Sequence, residues 1–466
     1  MRISFALLAL HNLAHADSID DYVQTEMQEQ NIPGVAIGIF RNGEVLRAQG
    51  YGLANVEHQV PVKPETVFQT ASIGKMFTAT AAMLLVEDGK LALDAPLTTY
   101  LPDAPPSWQA TTLRHLLNHT SGLGYPKLDF KQDYSDDELL ALIHATEPEF
   151  APGQRWSYSN AGYMVAGILV GKVGGQHYSE VLQERVFQPS GMSSARLLSH
   201  IDIVPNRAAG YASVRQGEGD DAPRVLKNQD WVSVTLNNTA DGSLQMSVLD
   251  FARWDAVVAR RAVLKDESWR QVLDSAPLNN GTRYAYGYGW ELEGMAEHPK
   301  HMGHGGAWQG FRSYYRRYDE DGVSFVVLAN STGARPEAIV RGIAERFDSR
   351  YKQADTLELA IEDTRPELAR NLADALQRVR DGQAADHPAL AALLPERRER
   401  MLDSMSKVLK EAGACPALME LVAEKPNGDQ LSRTYRSQCA NGMLRVSPVF
   451  DERGQIVRAE LRLEKP

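Results

Sequence analysis

Hydrophobic positions along this chain change their period several times, and the changes mark its elements. From Met76 to Val86 no residue is charged and apolar side chains fall on every side of a helical projection, which predicts a helix buried all round. Ala161 to Val173 repeats the pattern and closes on Gly174-Gly175. Val35 to Phe40 and Glu44 to Ala48 flank Asn42-Gly43, the signature of a β-hairpin. Short helices are predicted at 113–119 and 136–146, the second introduced by Ser135, and a capped helix start at Ser247 to Asp250. Leu91 to Pro102 and Pro205 to Gln229 read as loops. Tyr286 to Trp290 opens a strand; His301 to Tyr318 and Val323 to Asn330 read as two further strands joined at Asp319 to Gly322, before a helix from Arg335 to Phe347. Strands at both ends of 17–352 with helices between them predict an α+β domain whose sheet is assembled from remote pieces. Beyond Tyr351 the pattern turns to charged amphipathic helices near 364–380 and 395–412. Three alternating strands follow near 433–439, 443–450 and 455–463, so 355–466 reads as a separate small α+β domain.

Composition narrows the function classes. Over 466 residues, 43% are apolar and 23% charged, as in an ordinary globular protein with a large core. The formal net charge is −11, which argues against nucleic acid as a partner. No apolar run reaches the length of a membrane span. Residues 1–16 pair a basic start, Met1-Arg2, with the apolar run Ile3 to Leu10 and an Ala14-His15-Ala16 cleavage-like end. They predict a signal peptide and a periplasmic or secreted protein, against the plainer reading of a frayed N-terminal helix. Cys415 and Cys439 could pair in an oxidising compartment or stay free.

The candidate chemistry begins at the head of the buried helix. Ser72 precedes Lys75 by three positions, which places hydroxyl and amine on one face about a turn apart. A lysine drawn into an apolar site loses affinity for its proton and can act as a base towards the hydroxyl. Spacing alone is weak: Ser404 and Lys407 share it, on a solvated face among Arg397, Arg398, Glu399 and Glu411. Context favours Ser72. Pro152 to Asn160 is turn-rich and holds Tyr158 and Asn160 at the mouth of the second buried helix. Glycines flank His304, allowing close backbone approach. A metal reading from His298, His301 and His304 fails because odd spacing along a strand sends successive rings to opposite faces, so no metal is expected. The Gly-x-Ser-x-Gly elbow of other serine hydrolases does not occur in the chain.

Taken in order, Ser72-Ile73-Gly74-Lys75, Tyr158-Ser159-Asn160 and His304-Gly305-Gly306 resemble the three motifs of the serine β-lactamase and penicillin-binding-protein superfamily. The match is nearest the branch of class C β-lactamases, D-alanyl-D-alanine carboxypeptidases, D-aminopeptidases and related esterases. Flanking phrases agree, among them Arg114 to Leu117, His119 to Leu123, Tyr288-Gly289-Trp290 and Val326 to Asn330, and the likeness covers about residues 20–350. It implies a β-lactamase/transpeptidase-like fold: a central antiparallel sheet flanked by helices, plus an all-helical subdomain. It further implies Ser72 as nucleophile, Lys75 as general base, Tyr158 as general acid/base and His304 bridging to Tyr158. Ser72 and Ala307 would supply an oxyanion hole, and Asn160, Gly305 and Gly306 would contact substrate, with no cofactor. The expected substrate is a small molecule or peptide, cleaved at an ester or amide bond. One departure matters: the Lys-Thr-Gly or Lys-Ser-Gly of most β-lactamases is absent, so efficient β-lactam hydrolysis is not expected, only slow acylation. The appended domain keeps an alternative open, a non-turnover penicillin-binding or sensor protein whose C-terminal domain contacts an unidentified protein partner.

Overall fold

The computed structural model describes residues 18–464 apart from 218–222, 276–277, 282, 294–300, 352–362, 385–386, 394, 417–418 and 428–429. The predicted signal peptide therefore lies outside the described residues, as does His298. The chain divides into two compact units, 1–353 and 354–466.

The first unit is built on a seven-stranded antiparallel sheet in the order Val60–Pro61, Glu44–Asn55, Gly34–Arg41, Val323–Ala329, Phe311–Tyr318, His301–Trp308, Glu291–Glu293. Strand Gly34–Arg41 is buried at every position but its last, because helices cover both faces. Val35, Ile37 and Ile39 pack with Val340 and Ile343 of the helix Pro336–Phe347, whereas Ala36 and Phe40 join the larger core on the other face. Its hairpin turns at Asn42 and Gly43, both with positive φ (50° and 87°), the conformation that an Asn-Gly pair tolerates.

The larger core is helical. Helices Gly74–Glu87 and Asn160–Gly174 pack against each other at its centre, with Leu113–Leu117 and Asp136–His144 around them. Gly175 ends the second in the left-handed conformation, at φ 77°, which most residues with a side chain avoid.

Two expectations for this unit need correction. His301 to Tyr318 is not one strand but a hairpin, His301–Trp308 and Phe311–Tyr318, reversing at Gln309-Gly310 with Gly310 at φ 71°. Eighteen residues in a line would exceed any ordinary strand, and apolar residues continuing across the turn hid it. The 205–229 stretch is not all loop: Tyr211–Arg215 pairs with Arg224–Asn228. Its strands are short and partly exposed, so little hydrophobic pattern announced them.

The second unit packs helices Pro366–Arg380 and Pro395–Ala412 around a core with an antiparallel sheet of four strands, not three. The additional strand, Glu420–Asn427, lies at the sheet edge, where Pro426 is tolerated. Cys415 and Cys439 form a disulfide. Among the described residues no helix is long and apolar enough to cross a membrane.

Candidate active site

Ser72 sits in a 3-10 turn, Ala71–Ile73, that leads directly into the helix Gly74–Glu87. Ala71 carries φ 48°, a strained value for a residue with a side chain. The turn is held in that shape from outside. Thr70 N–H donates to Leu244 O at 2.9 Å, and Ser313 Oγ donates to Thr70 O at 2.7 Å. Two glycines close on it: a Cβ at Gly306 would fall 2.1 Å from Thr70 O, and one at Gly242 would fall 2.7 Å from the Ala71 carbonyl carbon. A third, Gly289 at φ 75°, lies against the Lys75 carbonyl, 2.5 Å from where its Cβ would stand. The sheet edge and the nucleophile turn can approach only because these positions have no side chain.

Lys75 is wholly buried. Its Nζ lies 3.3 Å from Ser72 Oγ, donates to Asn160 Oδ1 at 2.8 Å, and donates to the main-chain oxygen of Asp241. The arrangement suits both protonation states. As a neutral amine, Lys75 keeps both protons on Asn160 and Asp241 and turns its lone pair to the serine hydroxyl. Burial brings its pKa down from 10.5 to about 8, with the Asp241 carboxylate opposing the drop. The Tyr158 ring lies 4.8 Å from Nζ and that of Tyr163 5.4 Å.

Asn160 is the first residue of its helix, with Ser159 as cap: Ser159 Oγ accepts from Gly162 N–H at 3.0 Å. The preceding loop is stapled to residues 119–120, since Ser157 N–H donates to His119 O at 2.9 Å and Gly153 N–H to Thr120 O at 2.8 Å. Tyr158 thus packs against His119, ring centroids 4.3 Å apart and the planes tilted by 38°. Desolvation pushes the Tyr158 phenol up, and a hydrogen bond with Ser72 opposes that only in part, so the phenol is protonated at rest.

His304 does not bridge to Tyr158; the rings are 6.1 Å apart between centroids. Its Nε2 instead meets Tyr286 Oη at 2.8 Å and its Nδ1 meets Gly305 O at 2.6 Å. The strand pleat explains the difference: His304 and Gly306 point to the same face, and there the buried Tyr286 fills the space beside the imidazole. Tyr286 Oη also meets His119 Nε2 at 3.1 Å, and Ser159 N–H donates to His119 Nδ1 at 3.0 Å. With both imidazoles neutral, a single proton arrangement satisfies these contacts. His119 carries its proton on Nε2 and donates to Tyr286, which donates to His304 Nε2, and His304 donates from Nδ1 to the Gly305 carbonyl. Burial and the nearby Lys75 charge keep both imidazoles neutral. Desolvation, then the Lys75 charge, hold His304 at about 3, and the same two causes, joined by His304, hold His119 well below 6.5.

A cleft in front of Ser72 is lined by Asn160, Asp241, Gly242, Ala307 and the aromatic residues Tyr125 and Trp308. Of the residues expected from sequence, Ser72, Lys75, Tyr158 and Asn160 converge directly, and Ala307 joins them at the cleft. His304 reaches the site only through Tyr286 and His119. Gly306 is a close-approach residue against Thr70, and a Cβ on Gly305 would face the Tyr314 ring, 3.2 Å away. Asp241, Gly242 and Tyr286 were missed, and His119 appeared only within a flanking phrase.

The geometry of Ser72 and Lys75 suits acyl transfer, and residues 19–347 match the Beta-lactamase family, to which the chain belongs. It is 29% identical over 312 residues to penicillin-binding protein 4* of Bacillus subtilis (strain 168), covering 62% of this chain and 68% of that one. To a D-aminopeptidase of Gluconobacter oxydans (strain 621H) it is 28% identical over 333 residues, 69% of this chain and 60% of that one. To esterase EstB of Burkholderia gladioli it is 34% identical over 243 residues, 47% and 61% of the two chains. Among solved structures, D-amino acid amidase from Ochrobactrum anthropi SV3 superposes with a TM-score of 0.60 at 25% identity, over 72% of this chain and 97% of its own. The octameric penicillin-binding protein homologue from Pyrococcus abyssi shares the fold across 96% of this chain and 98% of its own, with a TM-score of 0.60 at 22% identity.

Proposed function

We propose that this protein is a serine hydrolase that cleaves an amide or ester through an acyl-enzyme on Ser72. The observation that carries this reading is Lys75, buried, with its pKa brought down to about 8 and its Nζ 3.3 Å from Ser72 Oγ. Ser72 Oγ attacks the substrate carbonyl carbon and its proton passes to Lys75. The N–H groups of Ser72 and Ala307, both on the cleft wall, hold the oxyanion. Collapse breaks the bond to the leaving amine or alcohol, which takes the Lys75 proton by way of the Tyr158 hydroxyl. Water then attacks the acyl carbon, gives a proton back along the same route, and releases the acid and free Ser72. Asn160 keeps Lys75 aimed, and the His119–Tyr286–His304 chain keeps the loop and sheet edge in register. D-amino-acid amides and peptides and simple esters are the candidate substrates, in line with the named activities of the relatives. The neutral His304 offers no cation to a substrate carboxylate, which supports slow acylation by β-lactams rather than rapid hydrolysis. Export is part of the proposal: the Cys415–Cys439 disulfide suits an oxidising compartment and agrees with the leader-like residues 1–16.

Steady-state hydrolysis of 4-nitrophenyl acetate tests the reading. Many turnovers per molecule, lost in Ser72→Ala, are expected. One equivalent of nitrophenol and then silence would favour the sensor alternative.

A further inference from the structure

The cleft wall pairs apolar residues, Phe130, Met164, Leu236 and Trp308 among them, with Asp241. Asp241 uses its main-chain oxygen on Lys75, which fixes the residue beside the nucleophile. Its side chain is not spoken for: among the described residues no lysine, arginine or histidine forms an ion pair with it. The charges around it leave the cleft wanting a cation. Among the described residues Lys75 is the one ammonium bonded to Ser72, and its protons are placed on Ser72, Asn160 and the Asp241 main chain. Arg312, across the strand pair from Ala307, is tied to the Trp308 and Phe311 carbonyls at 2.9 and 2.8 Å. His304 is neutral, and Glu291 adds a second negative charge near Tyr158. That the Asp241 carboxylate faces the cleft is supported by its raising effect on Lys75, Tyr125 and Tyr158 alike.

Resting on the acyl-Ser72 reading, we propose that Asp241 selects acyl groups bearing a protonated amine beside the scissile carbonyl, and that free aminoacyl esters and amides are preferred to N-blocked or carboxylate-bearing ones. An α-amine lies two bonds from the carbonyl that Ser72 attacks, within the space that Asp241 borders. A carboxylate on the cleft wall attracts an ammonium, is indifferent to a neutral amide and repels a second carboxylate.

The test uses three achiral methyl esters on the full-length protein: glycine, N-acetylglycine and succinate monomethyl ester. Hydrolysis is followed at about pH 6.5, where the glycine ester amine is protonated. For the wild type we expect kcat/KM to fall about tenfold or more from ammonium to neutral and again to carboxylate. Asp241→Asn should shrink the ammonium-to-carboxylate ratio at least tenfold; any change in Lys75 acts on all three esters and cancels in the ratio. Should Asp241→Asn not fold, the wild-type order alone decides. Equal rates for the three esters, or an unchanged ratio in the variant, would overturn the selectivity while leaving the hydrolase standing. No hydrolysis of any ester, with Ser72 unreactive to a fluorophosphonate, would overturn both.

Discussion

The pH at which the protein acylates is set by Lys75, and its surroundings allow the limb to be placed. An ordinary lysine at 10.5 would be neutral at pH 7 in roughly one molecule in three thousand; at about 8 the share is about one in eleven, some 300-fold more. On a neutral substrate such as 4-nitrophenyl acetate, kcat/KM should rise close to tenfold per pH unit below about 8 and level off above it. His304 at about 3 adds no limb between pH 5 and 8. Removing the carboxylate that raises Lys75, in Asp241→Asn, should move the midpoint to lower pH. The stability sign runs with this. The folded-state value lies below the unfolded one, so Lys75 destabilises the fold most below about pH 8, by about 3 kcal/mol, and the penalty fades as pH rises towards 10.5. The assay is a stopped-flow profile from pH 5.5 to 10 with a single-turnover acylation series beside it. A midpoint near 6.5, or one unmoved in Asp241→Asn, would refute Lys75 as the base.

Other outcomes follow from contacts already described. Gly306→Ala places a Cβ where 2.1 Å separates it from Thr70 O, so the Ser72 turn must retreat; kcat/KM should fall by about a hundredfold, and a near-wild-type rate would refute the clamp. Tyr286→Phe strips the hydroxyl shared by two buried imidazoles, and urea unfolding should show a loss of about 2–4 kcal/mol from the donor and acceptor left unpaired. Acid should destabilise the first unit before its carboxylates titrate. The unfolded chain takes up a histidine proton at about 6.5 while folded His304 resists until about 3, so stability falls with pH through that window, by as much as about 5 kcal/mol from this residue. Unfolding midpoints that stay flat from pH 7 to 4 would contradict the neutral pair.

Much of this was readable from residue order. The two uncharged helices, the Asn-Gly hairpin and the Ser72–Lys75 spacing follow from local rules, because burial all round and a shared helix face are properties of a short stretch. Asn160 was legible for a similar reason: a turn-rich run and a glycine stop bracket the uncharged helix at whose mouth it stands. What escaped depends on remote partners. Nothing around Asp241 in Thr239-Ala240-Asp241-Gly242 says that its main chain will meet Lys75, 166 positions away. Tyr286 looked like the opening of a strand, and only the fold brings its hydroxyl between His119 and His304. The glycines at 242, 289 and 306 carry meaning that becomes visible once the atoms they make room for are placed. The expected His304–Tyr158 contact failed on the same ground, since a motif names the residues that meet without naming the side chain, here Tyr286, that takes the imidazole's hydrogen bond.

The most direct measurement is to map, by tandem mass spectrometry, the residue that a fluorophosphonate modifies in the native protein. One adduct per chain at Ser72, forming faster as pH approaches 8 and absent from Ser72→Ala, is the predicted result. An adduct at another serine, Ser404 beside Lys407 included, or labelling that survives in Ser72→Ala, would contradict the account.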